Sequence, residues 1–343
     1  MGLKKKIIVT GGAGYIGSHT VVELAQAGYE PVIIDNFCNS RRFVLERIKT
    51  ILSRPVECYD CDCCQIDLLR KIFTAEGKIH GAIHFAAVKA VGESAHKPLL
   101  YYQNNLGSLT ALLTVLQEAQ VPYFVFSSSA CVYGAAKSPV TEESPVQPAT
   151  SPYGNTKQIG EEITADLVKS GAALKAISLR YFNPIGAHSS GLIGELPLGA
   201  PNNLVPFVTQ TAAGLREKLT IFGNDYPTPD GTGIRDYLHV IDLARAHINA
   251  LEYLEQSNAA PGYAVFNLGT GRGYSVLEII KTFEQVNHLK LPVVIGSRRQ
   301  GDVAVLFANP DKANRLLKWQ TKLTIEEALR DAWLWQKSLA AQT

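Results

Sequence analysis

The sequence predicts an α/β fold, a doubly wound parallel sheet joined to a smaller C-terminal α/β lobe. Three observations carry this. Through the first 180 residues, short β-rich apolar runs alternate with longer amphipathic stretches, the pattern of repeated βα units. The runs are continuously apolar rather than alternating, as strands covered on both faces by helices are. A glycine-rich turn follows the first run directly.

Strands are predicted at Lys6 to Thr10, Pro31 to Asp35, Val56 to Tyr59, Gly81 to Phe85, Tyr123 to Ser127 and Leu174 to Arg180. Helical patterns lie between them near 15 to 27, 41 to 52, 65 to 75, 98 to 119 and 153 to 169, long enough to serve as crossovers between parallel strands. After about Tyr181 the chain turns rich in Pro, Gly and Asn, at Asn183-Pro184 and across 194 to 203 and 223 to 233. Loops of that length are usually functional or disordered. Shorter elements resume at 237 to 256, 264 to 268, 275 to 287 and 324 to 338, and Ser275 with Glu278 forms a capping-box pattern. The expected division is residues 1–180 as the first domain and 181–343 as a second lobe, with some late elements returning to the first.

Composition narrows the function. The 343 residues are 46 % apolar and 19 % charged, enough to bury a sizeable core. Thirty-three basic against 31 acidic side chains leave +2, too balanced for a nucleic-acid surface, so any anion site is local. No apolar run reaches the roughly 18 residues of a membrane span, and Lys4 to Lys6 lead into too short a run for a secretory signal. Met1-Gly2 could begin a myristoylation motif, but Lys6 stands where that motif needs Ser or Thr. Cys58, Cys61, Cys63 and Cys64 crowd together. In a strand over 56 to 63, Cys58 faces away from Cys61 and Cys63, so reduced thiols of a cytoplasmic protein are expected rather than zinc ligands or a disulfide framework.

The turn after the first strand reads Thr10-Gly11-Gly12-Ala13-Gly14-Tyr15-Ile16-Gly17, with Gly12, Gly14 and Gly17 in the G-x-G-x-x-G spacing. Glycines there allow a tight turn, a close approach to a pyrophosphate and helix-on-strand packing, while the helix N-terminus offers free amides to the anion. This is the Rossmann dinucleotide arrangement. Asp35 ends the second strand, where a carboxylate binds the adenosine ribose hydroxyls and repels a 2′-phosphate, so NAD is expected over NADP. Arg41 and Arg42 are the counter-signal, because an arginine near that site accommodates a 2′-phosphate.

Ser127, Ser128 and Ser129 close the fifth strand, at the carboxyl edge where ligands of doubly wound sheets lie. The next helix opens Pro152-Tyr153-Gly154-Asn155-Thr156-Lys157, and i, i+4 spacing puts Tyr153 and Lys157 on one face. A second Tyr-x-x-x-Lys, Tyr133 with Lys137, is marked as loop by Gly134 and Pro139. Bringing a phenol from its ordinary pKa near 10 to about 7 costs roughly 4 kcal/mol. Lys157 and an oxidised nicotinamide are the expected positive charges.

With these motifs in place, the sequence resembles the extended short-chain dehydrogenase/reductase family and, within it, the UDP-hexose 4-epimerases. The resemblance runs through TGGAGYIGSHT at 10 to 20, DNFCNS at 35 to 40, HFAAVKAVGES at 84 to 94, SSSACVYG at 127 to 134 and PYGNTK at 152 to 157. It continues in LRYFNPIGAH at 179 to 188, PNNLVPF at 201 to 207, FGNDYPTPDGTGIRDYLHV at 222 to 240 and NLGTGRGYSVLE at 267 to 278. The resemblance implies NAD contacts from Gly11, Gly12, Gly14, Tyr15, Ile16 and Gly17, then Asp35, Asn36, Cys38, Asn39 and Ser40 at the ribose and Asp62 and Cys63 at adenine. Phe85, Ala86, Ala87, Lys89, Asn104, Ser127, Tyr153, Lys157, Tyr181 and Phe182 would continue along the cofactor. For substrate it implies Lys89, Ser129, Ala130, Cys131, Tyr153, Tyr181, Phe182 and Asn183 around the sugar. Asn202, Asn203, Leu204, Thr220, Ile221 and Phe222 would surround uridine, and Arg235, Arg299 and Asp302 would hold diphosphate and ribose.

The resemblance further implies that Tyr153 takes the sugar 4-hydroxyl proton while C4 hydride passes to NAD, with Ser129 on the oxygen. Rotation of the 4-keto sugar and return of hydride to the other face then inverts C4. A homodimer is implied as well. Cys131 replaces an expected threonine, Cys63 an aliphatic residue and Gln300 an acid, and Leu306 stands where a bulky or a small residue separates plain from N-acetylated sugars in this family. UDP-glucose and UDP-galactose are the expected substrates, with N-acetylated UDP-hexosamines left open. Two other readings are a nucleotide-sugar 4,6-dehydratase, which needs an Asp-Glu pair where Ala130 and Cys131 stand, and a silent NAD-binding scaffold, which would not need Ser129, Tyr153 and Lys157.

Overall fold

The computed structural model describes residues 4–256, 262–299 and 302–340. Met1, Gly2 and Gln300 lie outside the described residues. The first half runs β1 (Lys6–Thr10), α1 (Tyr15–Gln26), β2 (Glu30–Asp35), α2 (Phe43–Leu52), β3 (Glu57–Asp60), α3 (Ile66–Glu76), β4 (Gly81–His84), α4 (Val91–His96), α5 (Pro98–Glu118), β5 (Tyr123–Ser129), α6 (Pro152–Lys169) and β6 (Lys175–Tyr181). Then come β7 (Asn183–Ile185), α7 (Leu204–Ala212), β8 (Leu219–Phe222), β9 (Ile234–Arg235), β10 (Tyr237–His239), α8 (Val240–Gln256) and β11 (Tyr263–Leu268). The chain ends with β12 (Tyr274–Ser275), α9 (Val276–Asn287), β13 (Val293–Gly296), β14 (Val305–Leu306), α10 (Asp311–Leu316) and α11 (Ile325–Ala340).

Seven strands form one parallel sheet in the order β11-β6-β5-β4-β1-β2-β3. The order reverses at β1, which lies between β2 and β4, so a crevice opens at the strand ends where the crossovers part to opposite faces. Each face has its own core, one built on Ile7, Val9, Ile33, Ile83 and Val125, the other on Ile8, Val32, Ile34, Ala82 and Phe124. Successive residues of one strand thus supply both cores, which is why the strand segments read as unbroken apolar runs.

The seventh strand comes from beyond residue 181. β11 pairs in parallel with β6, and α8 contributes Leu243, Ala246 and Leu251 to the core under the sheet. The remaining late elements form a three-stranded group, β12-β9-β14, and two-stranded pairs, β10-β7 and β13-β8. A third core of Ile185, Val208, Ile280, Phe283 and Leu329 packs them with α7, α9 and α11. The Ser275–Glu278 capping box is present with both of its hydrogen bonds.

Two local expectations, both on strand ends, are corrected. β3 stops at Asp60, so Cys61 and Cys63 turn inward from the loop after it rather than from a strand reaching 63. Cys58 packs against one core while Cys61 and Cys63 lie in the other, and all six cysteines are free thiols. β5 extends through Ser129, two residues past the predicted end, because Ser127–Ser129 pair with Leu179–Tyr181 of β6. No helix among the described residues is long and apolar enough to cross a membrane.

Candidate active site

The glycine turn is built by close approach. Gly11 has φ +68, and a Cβ there would lie 2.8 Å from the Ala86 nitrogen; one on Gly17 would lie 2.2 Å from the Gly11 carbonyl. α1 begins at Gly14 with no side-chain cap and no acid in its first turn. Its first amides are thus left for an anion brought from outside. A dinucleotide pyrophosphate fits that cradle.

Asp35, at the tip of β2, is 7 % exposed and accepts from the Ala13 amide (3.0 Å), the Phe37 amide (2.9 Å) and the Ser40 hydroxyl (2.9 Å). Its carboxylate ties the glycine turn to the loop carrying Asn36, Cys38 and Asn39, all exposed. Arg42 pairs with Asp60 and covers the Phe37 ring at 4.3 Å. That neutralises the nearer counter-signal for a 2′-phosphate. Asp62 caps the next turn through the Cys64 amide at 2.8 Å, beside buried Cys63. Phe85, Ala86 and Ala87 follow β4, half-buried, and Asn104 lies on α5 bonded to Asn105 at 3.0 Å.

At the end of β5, Lys157 reaches from α6 to the Ser127 carbonyl at 2.6 Å, with its ammonium 5.9 Å from the centre of the Tyr153 ring. Ser151 caps α6 by accepting from the Gly154 amide at 3.1 Å, and Pro152 opens its first turn, which fixes where Tyr153 emerges. Ser129 accepts from the Cys131 amide at 3.2 Å and is close enough to lower the Tyr153 phenol. The residues predicted to act together are therefore together, while Tyr133 and Lys137 are not on a common helix. Tyr133 is buried on Arg180 and Asn267 instead.

The electrostatics depart from expectation. Burial holds the Tyr153 phenol above its ordinary value, Cys131 adds to the rise, and the Ser129 hydrogen bond opposes it. Burial also pulls Lys157 down to about 8. Low dielectric penalises the phenolate and the ammonium alike. The lysine is held to a carbonyl, so the protein by itself does not turn Tyr153 into a base.

The residues expected at the nucleotide sugar lie largely on the later elements. Asp302 stands between Arg299 (2.9 Å) and Arg235 (3.8 Å), and the Arg299 guanidinium lies 5.3 Å from the Phe222 ring centre. Leu306 on β14 is in register with Arg235 on β9, half-buried against the core that includes Tyr181 and Phe182. Asn183 opens β7, its amide on the Asp236 carbonyl at 2.9 Å. Ala130 is buried and Cys131 half-buried in the turn after Ser129. Asn202 is exposed, Asn203 and Leu204 start α7, and Thr220 and Ile221 lie on β8.

Several residues that shape the site were not singled out in the sequence. Glu195 receives both Lys89 (3.1 Å) and Asn203 (2.7 Å), joining the loop after β4 to the start of α7. Asn105 closes the Val88 turn and bonds Thr156 at 3.1 Å. Glu161, one turn beyond Lys157, holds Ser128 at 2.5 Å and forks onto Arg180 at 2.9 and 2.6 Å. Its i+4 spacing from Lys157 was the available signal. Glu195 gave none.

Comparison with known proteins follows this geometry. Residues 7–269 match the NAD dependent epimerase/dehydratase family. The UDP-glucose 4-epimerase of Dictyostelium discoideum is 51 % identical over 332 residues, covering 96 % of this chain and 95 % of that protein. A crystal structure of the Stenotrophomonas maltophila UDP-glucose 4-epimerase, with bound NAD and formylated UDP-arabinopyranose, superposes with a TM-score of 0.95 at 45 % identity over 99 % of this chain and 100 % of that one. The Bifidobacterium longum UDP-glucose 4-epimerase, in complex with NAD+ and UDP, gives 0.93 at 44 % identity over the same shares. With a family match over residues 7–269 and relatives about half identical over nearly the whole length, the chain belongs to the NAD dependent epimerase/dehydratase family.

Proposed function

We propose that this protein is an NAD-dependent UDP-hexose 4-epimerase that interconverts UDP-galactose and UDP-glucose. One observation carries the reading: Tyr153 and Lys157 approach each other on α6, with Lys157 bonded to Ser127 at the carboxyl end of β5, the strand that closes in Ser129. A phenol, a hydroxyl and an ammonium at that edge suit the handling of a sugar hydroxyl proton beside a dinucleotide. The cofactor-binding and substrate-binding residues named from sequence are carried into this proposal at the positions described above, with residues 1–180 mainly serving NAD and 181–343 mainly serving the nucleotide sugar.

Bound NAD supplies an acceptor, and then a donor, for the hydride at sugar C4. Tyr153 takes the proton of the 4-hydroxyl and later returns it, and Ser129 donates to the same oxygen. Lys157, tied to Ser127, keeps a positive charge near the phenol without competing for the substrate. Arg235 and Arg299 exchange their hold on Asp302 for diphosphate oxygens, an arrangement guanidinium forks favour. Anchoring at that distant end lets the keto sugar turn over without escaping. A 4,6-dehydratase would need an acid and a base after the serine run, where Ala130 and Cys131 stand.

The same reading takes the working form as a cytoplasmic homodimer, which light scattering on the purified protein tests. The activity is tested by NMR of UDP-galactose incubated with the protein, with and without added NAD. Appearance of the glucose epimer supports the proposal; no conversion in either condition refutes it. UDP-N-acetylgalactosamine in a parallel tube reports whether Leu306 leaves room for an acetyl group.

A further inference from the structure

Two tyrosines face the same chemistry, Tyr153 on α6 and Tyr181 at the end of β6, where it is paired with Ser129. They differ in what holds their protons. The Tyr181 hydroxyl meets Nε2 of His247, a fully buried residue of α8. His247 Nδ1 lies 2.9 Å from the Leu243 carbonyl, which can only accept. Nδ1 therefore carries the ring proton, Nε2 is left as an acceptor, and the Tyr181 hydroxyl donates to it. The His247 ring also contacts Phe85 at 4.8 Å between centres, so one imidazole touches the last residue of β6 and the first residue after β4, the two strands that flank β5.

We infer that His247 is a positioning residue that commits the Tyr181 proton away from the reacting oxygen and fixes the Tyr181 and Phe85 rings against the nicotinamide end of the crevice. This rests on the proposed epimerase reading. Tyr181 is thereby denied to the substrate as a proton donor, leaving Tyr153 and Ser129 as the hydroxyls that exchange hydrogen bonds with O4. A keto sugar offered a third donor would gain a resting orientation and be held back from turning over.

The first test needs no activity. In protein carrying 15N-labelled histidine, the His247 resonances should show an Nδ1–H tautomer from pH 6 to 8, and Tyr181→Phe should move the Nε2 resonance toward that of a free acceptor. An Nε2–H tautomer, or an Nε2 signal indifferent to Tyr181→Phe, overturns the inference whatever the enzyme does. The second test compares His247→Phe, which keeps a ring but removes the acceptor, with His247→Gln, which restores one. On an enzyme whose wild type epimerises UDP-galactose, His247→Phe should lower kcat about tenfold, the worth of one lost hydrogen bond, with KM and UDP affinity unchanged. NADH fluorescence should accumulate during turnover, and His247→Gln should recover part of kcat. Wild-type kcat in His247→Phe, or equal losses in both variants with falling UDP affinity, overturns it. Failure of the wild type to turn over refutes the epimerase reading and leaves the tautomer measurement to decide His247.

Discussion

The Lys157 ammonium donates to the Ser127 carbonyl at 2.6 Å, binding α6 to the strand that ends in Ser129. The folded lysine, pulled down to about 8 by burial, releases its proton at lower pH than the unfolded one, near 10.4. Between those values the unfolded chain holds more protons, so this group makes stability rise with pH through the window, by up to about 3 kcal/mol. Lys157→Met should remove that slope in urea titrations from pH 7.5 to 10, and should cut turnover at least about 100-fold. An unchanged slope would place the proton elsewhere.

Tyr153 should stay protonated at neutral pH in protein freed of NAD, since burial raises its phenol. Ultraviolet difference titration against Tyr153→Phe should show ionisation only in strongly alkaline solution. Loading NAD should move it downward, because the nicotinamide cation stabilises the phenolate. Activity should then rise with pH on its acid limb, and Tyr153→Phe should lose about 100- to 10,000-fold in kcat with UDP affinity retained.

Glu161 and Arg180 form a buried pair, with Arg180 5 % and Glu161 8 % exposed. Glu161→Gln leaves the guanidinium buried and uncompensated, and should cost about 3–5 kcal/mol in chemical denaturation. Adding Arg180→Met to it should recover most of that loss. A double variant as unstable as the sum of the singles would mean no coupling between the two residues, and would overturn the assignment of the Glu161→Gln loss to an orphaned charge.

Asp35→Ala should weaken NAD binding by about tenfold or more in calorimetry, because the carboxylate organises both the glycine turn and the ribose loop. It should not confer tight NADP binding, since Arg42 stays paired with Asp60. Equal affinity for the two cofactors in this variant would contradict that assignment of Arg42.

Much of this was legible in the sequence because it is local. Continuous apolar runs mark strands buried on both faces, the glycine spacing marks the turn, and Ser151, Pro152 and the Tyr153–Lys157 spacing mark one helix face. Element ends were less legible. β5 gained two residues only because β6 offered them partners, and β3 is shifted by one residue, to Glu57–Asp60, where its pairing with β2 runs from Val32 to Asp35.

By itself the sequence determined the order of elements, the NAD-type turn and the identity of the tyrosine, serine and lysine at the centre. Tertiary structure alone decided that β11 completes the sheet, that Glu195 joins Lys89 to Asn203, and that the His247 ring, 66 residues beyond Tyr181, meets its hydroxyl. It also set the sign of the pKa shifts at Tyr153 and Lys157. The physical reason is one of range: backbone preference and hydrophobic period act over a few residues, whereas burial and long-range hydrogen bonds exist only once distant segments have packed.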